Sequence, residues 1–309
     1  MKWKGRRQSS NVEDRRGESV PTGRGHSRAG SGLLNILLLG FLRASPKGKL
    51  VMIVIAAIGF LFFRGPMMQL LNSTGGESIS APRIEQSAPG ENDEMRAYLS
   101  TMMADNEEVW NRLLAQTRLQ FRPARMVIYS RGTRIPGGVA DSRMGPFYMP
   151  SNDTIYIDPT FFDELKQKFG ATGDFAEAYV VAHEYGHHIQ NISGRLNELN
   201  SKRGRVPKAE FNRASVRVEL HADFLAGVFA RSAQATFGEF LERGDIEEAM
   251  RAAEAVGDDR IQKQTSGSVN PDLFTHGTSA QRARWFNRGF ESGDLRLGEQ
   301  LYSLPYEQL

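Results

Sequence analysis

The stretch AYVVAHEYGHHIQ, residues 178–190, decides how this chain is read. Five apolar or aromatic residues lead into His183-Glu184-Tyr185-Gly186-His187, an H-E-x-x-H pattern on a segment apolar enough to be a buried helix. On a helix, residues four apart differ in direction by only about 40°, so the two imidazoles can converge on one ion. Glu184 lies about 100° round from His183, beside such an ion rather than on it, where a carboxylate can take a proton from bound water. Two neutral nitrogen donors suit zinc. Asp174 and Glu177 form a D-x-x-E start resembling a capping box, and Gly194 suits the helix stop. Two histidines and a glutamate buried without a task would need partners, which makes an incidental pattern costly.

A zinc site of this kind needs a third protein ligand and leaves a position for water, so one zinc ion per chain is expected. The downstream helix VELHADFLAGVFA, residues 218–230, offers Glu219, His221 and Asp223. Glu219 and Asp223 are four apart and share a face, whereas His221 points about 200° away from Glu219. The preferred reading has Glu219 on the metal and Asp223 holding a ligand histidine by its free ring N–H. A three-histidine site through His221 is the alternative. His188, about 140° round from His183, falls off the metal face and reads as structural or as part of the substrate cleft. His276, in THGTSAQRARWF (residues 275–286), is the candidate donor to a developing oxyanion, against a plain role at a helix entry.

Around these helices the pattern predicts a fold of the α+β class, a small sheet followed by helices. A helix is expected over Glu94–Leu119, and strands over Ala124–Ser130, Phe147–Met149 and Thr154–Asp158. Pro136 to Pro146 reads as a glycine-rich loop. The TIYID strand (154–158) is either an exposed edge that could add a peptide substrate to the sheet or an ordinary inner strand.

The chain has 309 residues and no cysteine, which excludes disulfides and thiolate zinc sites. Its net charge of +3 hides an asymmetry. Residues 1–49 hold 11 Lys and Arg against 3 Asp and Glu, leaving 28 against 33 for residues 50–309. Nucleic-acid binding would want basic charge grouped on the fold, so no nucleic-acid partner is expected. Residues 1–49 read as a basic, largely disordered cytoplasmic arm with a short apolar run at Leu33–Leu42. The run Leu50–Phe63 reaches only about 21 Å as a helix, but extended to Leu71 it reaches about 33 Å, enough for a bilayer core of about 30 Å. Lys47 and Lys49 precede it and Arg83 alone is basic in 72–92, so the positive-inside rule predicts a single-pass anchor at 50–71 with the N-terminus cytoplasmic. A polar linker over 72–92 would lead to a catalytic domain over 93–309 outside the cytoplasm.

The stretches KWKGRRQSSNVEDRRG, GPFYMPSNDTIYIDPTFF, HEYGHHIQ, ELHADFLAGV, AVGDDRIQ and THGTSAQRARWF together resemble the Putative neutral zinc metallopeptidase family of bacteria over nearly the full length. The resemblance implies a zincin-like domain of the glutamate type, similar to thermolysin, in which His183, His187 and Glu219 hold zinc and Glu184 is the base. It implies a peptide or protein substrate and a bacterial inner-membrane location, with the catalytic domain periplasmic or extracellular. The family pattern implies that many relatives carry a cysteine where Met149 stands here and another in the preceding glycine loop; this chain has neither, so any disulfide brace of that loop is missing. The rival expectation is a non-catalytic, membrane-anchored zinc scaffold or regulatory domain; the presence of Glu184 argues for catalysis, since a structural zinc site has no need of a base.

Overall fold

The computed structural model describes residues 1–18 and 93–309. The expected anchor at 50–71, the run at 33–42, the linker at 72–92 and the remainder of the arm lie outside the described residues. Among the described residues no helix is long and apolar enough to cross a membrane.

The fold is α+β, with a small sheet ahead of a helical body. Strand β1 (Val12–Asp14) is followed by helix α1 (Glu94–Leu114), then strands β2 (Arg125–Ile128), β3 (Gly132–Ile135), β4 (Gly138–Asp141), β5 (Phe147–Met149) and β6 (Thr154–Ile157). Helices α2 (Thr160–Phe169), α3 (Asp174–Ile192), α4 (Arg195–Lys202), α5 (Lys208–Phe237), α6 (Asp245–Ala255), α7 (Asp258–Ser266) and α8 (Ser279–Ser292) complete it. The main sheet runs β1-β2-β6-β5, with β1, β2 and β6 parallel and β5 antiparallel to β6. Alternation along the strands sorts the side chains: Met126, Ile128, Ile155 and Ile157 enter the main core under the helices. Val127, Tyr129 and Tyr156 form a second cluster on the other face with Ile135, Phe147 and Met149.

Several expectations are corrected. Helix α1 ends at Leu114 rather than Leu119, because the Thr117 hydroxyl donates to the Leu114 carbonyl at 2.8 Å and accepts from the Leu119 amide at 3.1 Å. The predicted loop at 136–146 begins within the β3–β4 hairpin, turned at Pro136-Gly137 with Gly137 at φ 86°. TIYID takes the second of the two readings left open, an inner strand flanked by β2 and β5; the edges of the sheet are β1 and β5.

The largest correction concerns the N-terminus, expected to be disordered. Residues 1–18 pack with residues 93–309 in one compact unit. Met126 N donates to Asn11 O at 2.8 Å and Arg15 N to Ile128 O at 2.7 Å, extending the β1–β2 ladder. Arg6 binds Asp105 at 2.7 Å and Arg7 binds Glu107 at 3.0 Å, both on α1; Arg16 reaches Asp14 and Asp93. Composition could not reveal this, because the acids that order the arm lie some hundred residues away in sequence. In this chain β1 and β2 pair directly, so residues 1–18 and 93–309 form one body.

Candidate metal centre

Helix α3 supplies His183, Glu184 and His187; helix α5 supplies Glu219 and Asp223. The two helices come close because Gly186, between the two histidines, lacks a side chain: a Cβ there would stand 3.1 Å from the Ala222 carbonyl oxygen. That approach brings Glu219 to the histidines. His183 Nε2 lies 3.3 Å from Glu219 Oε2, and His187 Nε2 lies 3.6 Å from Glu219 Oε1. One ligand atom from each of the three falls within 4.8 Å of the others. Tetrahedral zinc with bonds of about 2.0–2.1 Å separates its ligand atoms by about 3.3–3.4 Å, so this donor set fits the ion.

The outward ring nitrogens are occupied. His183 Nδ1 lies 2.8 Å from Asp223 Oδ1, and His187 Nδ1 lies 2.9 Å from Gln190 Oε1. Gln190 in turn donates to the Val218 carbonyl at 2.6 Å, tying α3 to α5. Each Nδ1–H donates to its oxygen, which turns both Nε2 atoms toward Glu219. Burial disfavours the imidazolium of His187, yet Glu219 outweighs it and holds the ring up at about 9. Burial also opposes charge on Glu219, but the facing rings hold its carboxyl well below the usual range. A carboxylate kept ionised between two imidazoles favours a cation between them.

Sequence reasoning missed two members of this network. Arg282, on α8, is buried and donates to Asp223 through Nε at 2.8 Å and Nη2 at 2.9 Å. The Tyr179 hydroxyl also donates to Asp223. Burial pushes the Asp223 carboxyl up, but Arg282 and His183 outweigh that and hold it at about 2. Tyr179, four residues before His183 on the same face, could have been suspected; Arg282, from a helix some hundred residues away, has no local signal.

The remaining histidines separate. His221 is buried away from Glu219, with Nδ1 2.9 Å from the Tyr302 hydroxyl, and burial drives it down to about 3; the three-histidine alternative therefore lacks its geometry. His188 bridges the Tyr148 hydroxyl (3.0 Å) and the Arg122 carbonyl (2.8 Å), docking β5 onto the metal helix. His276 lines the same cleft as Glu184, His187 and Glu219, a cavity of about 570 Å³ also walled by Phe147 and Tyr148 of β5. Asp258, in the segment GDDR (257–260), braces the His276 loop. Its Oδ2 accepts from the amides of Thr275 (2.7 Å), His276 (2.6 Å) and Gly277 (3.1 Å), and its Oδ1 lies 3.1 Å from His276 Nδ1.

Residues 1–300 match the family described as Putative neutral zinc metallopeptidase. The chain is 41% identical over 294 residues to "Uncharacterized protein YpfJ" of Escherichia coli (strain K12), covering 95% of this chain and 96% of that protein. It is 44% identical over 200 residues to "Uncharacterized protein Rv2575" of Mycobacterium tuberculosis (strain ATCC 25618 / H37Rv), covering 61% and 64% respectively. No solved structure matches the chain.

Proposed function

The chain belongs to the Putative neutral zinc metallopeptidase family, and from that premise we propose that it hydrolyses peptide bonds with one zinc ion held by His183, His187 and Glu219. The observation that carries this reading is the convergence of those three donors in a cleft that also presents Glu184. Zinc bound there would act as a Lewis acid, lowering the pKa of its water and polarising the scissile carbonyl. Glu184 takes the proton from the attacking water and delivers it to the leaving amine. His276, its Nδ1 side held by Asp258, directs Nε2–H to the oxygen on which charge develops. An extended substrate lies along β5, whose outer edge has no strand partner among the described residues and whose Phe147 and Tyr148 wall the cleft.

Zinc and activity separate in two variants. Glu184→Gln should keep about one zinc per chain and lose cleavage of casein by at least about 100-fold, at the lower end of what acid–base groups contribute. Glu219→Ala should lose the zinc itself. Metal analysis of the purified full chain checks both, and full zinc occupancy in Glu219→Ala would overturn the ligand set. A zinc-replete wild-type protein that cleaves nothing would favour the scaffold reading.

For location, the apolar run 50–71 supports attachment to the bacterial inner membrane.

A further inference from the structure

Between Lys202 and Arg217 the chain carries six basic residues, Lys202, Arg203, Arg205, Lys208, Arg213 and Arg217, and a single acidic one, Glu210. This local excess sits on a chain that from residue 50 onward holds more acids than bases. The first five are exposed. None of the six forms an ion pair among the described residues, whereas Arg195, at the start of α4, is paired with Glu198 and Glu299. Their partners are uncharged. Arg203 lies over the Phe211 ring at 4.9 Å and Arg213 over Tyr306 at 5.3 Å. Arg217 donates to the Leu301 and Leu304 carbonyls, the second at 2.8 Å. Such contacts hold the cations in place without neutralising them.

The band adjoins the cleft. Arg203 lines the catalytic cavity itself. Lys202, Arg213 and Arg217 line a neighbouring recess of about 430 Å³, which shares Leu199 and Val218 with the catalytic cavity. Glu198 and Glu210 line that recess too, but Glu198 is paired with Arg195, so Lys202, Arg213 and Arg217 outnumber Glu210; because Val218 directly precedes Glu219, one side of the metal site opens onto net positive charge. Low-dielectric walls focus such a field and concentrate anions in front of it.

We propose that this band is a specificity subsite that receives acidic side chains of the peptide substrate, on the side of the cleft bounded by α4 and the start of α5. The inference rests on the peptidase reading for its substrate class. A recess walled by two helices suits carboxylate side chains on an extended chain better than a flat anionic surface.

The test compares three fluorescent peptides that share one apolar core and carry a Glu, Gln or Lys triplet on one flank, placed at either end. Binding is measured with the zinc-loaded full chain in neutral detergent, and cleavage with the same peptides. The expected result is a Glu peptide bound at least about tenfold tighter than its Lys counterpart, within the range that focused fields give association. The preference should shrink as salt rises from about 0.1 M to about 1 M, where the screening length falls from about 10 Å to about 3 Å. It should collapse in Lys202→Glu/Arg213→Glu and persist in Lys202→Arg/Arg213→Lys, with zinc content and thermal unfolding reporting that each variant is folded. Equal binding of all three peptides overturns the inference, whatever is cleaved. So does loss of binding to anionic phospholipid vesicles in the reversal variant with peptide preference intact, which would assign the band to a membrane. Charge-selective binding without cleavage of any peptide would leave the subsite standing and sink the peptidase reading instead.

Discussion

Arg282 shows how much of this site depends on residues that touch no metal. Its guanidinium holds Asp223, which holds His183. Arg282→Met would leave the buried Asp223 carboxylate without its guanidinium partner, and breaking a buried pair costs about 3–5 kcal/mol. Zinc affinity should fall about 10–100-fold, as for loss of other groups that orient ligands. Urea unfolding and chelator competition measure the two effects; unchanged values in both would remove Arg282 from the network. The same scale yields a pH dependence. Without metal, Glu219 holds His187 at about 9, above its ordinary 6.5. The stability contributed by that proton is present in full below about pH 6.5 and is lost as the pH climbs through about 9. Zinc needs the neutral ring and must displace the proton. Its apparent affinity should therefore rise about tenfold per pH unit between about pH 6.5 and 9 from this proton alone. A flat affinity profile in chelator competition would count against the Glu219–His187 coupling.

The elements meet at seams set by glycine. Along the α5–α8 contact, a Cβ on Gly227 would stand 2.0 Å from the Phe286 carbonyl oxygen, and one on Gly289 would stand 2.0 Å from that of Phe224. The obstacle is backbone on both sides, so side-chain motion cannot relieve it. Gly227→Ala should destabilise by at least the upper end of the overpacking range of about 1–3 kcal/mol. Zinc affinity should fall with it, because α5 carries Asp223 and α8 carries Arg282. A lowered melting temperature together with weaker zinc binding is the expected pair, and an unshifted melting temperature would refute the tight seam. At this scale much was legible: a buried helix around H-E-x-x-H and a second helix around Glu219. The β3–β4 hairpin was not, since its four-residue strands include Gly132 and Gly138 and carry little apolar pattern.

For the whole molecule, β1 closes the sheet and the arginines of residues 1–18 neutralise acids on α1. A chain cut to residues 93–309 would expose the edge of β2 and leave Asp105 and Glu107, both buried, without their partners. It should melt well below the full chain, and adding residues 1–18 back as a peptide should raise its melting temperature; equal melting of cut and full chains would refute the role of the arm. The same connectivity predicts that tags at the two termini respond alike to protease added to intact cells and to opened ones. Opposite accessibility would mean that residues 1–18 do not join the sheet of their own chain.

The sequence by itself determined the family, the α+β class and that Glu219 and His221 cannot both face the histidines of α3, because helical spacing is local; the structure chose Glu219. Only the tertiary structure decided that Asp223 is clamped by Arg282, that β5 rather than β6 is the free edge, and that residues 1–18 belong to the body. Each of those depends on pairing between segments far apart in the chain. No local pattern encodes the partner: an arginine-rich arm reads as solvated until the acids that neutralise it are folded beside it.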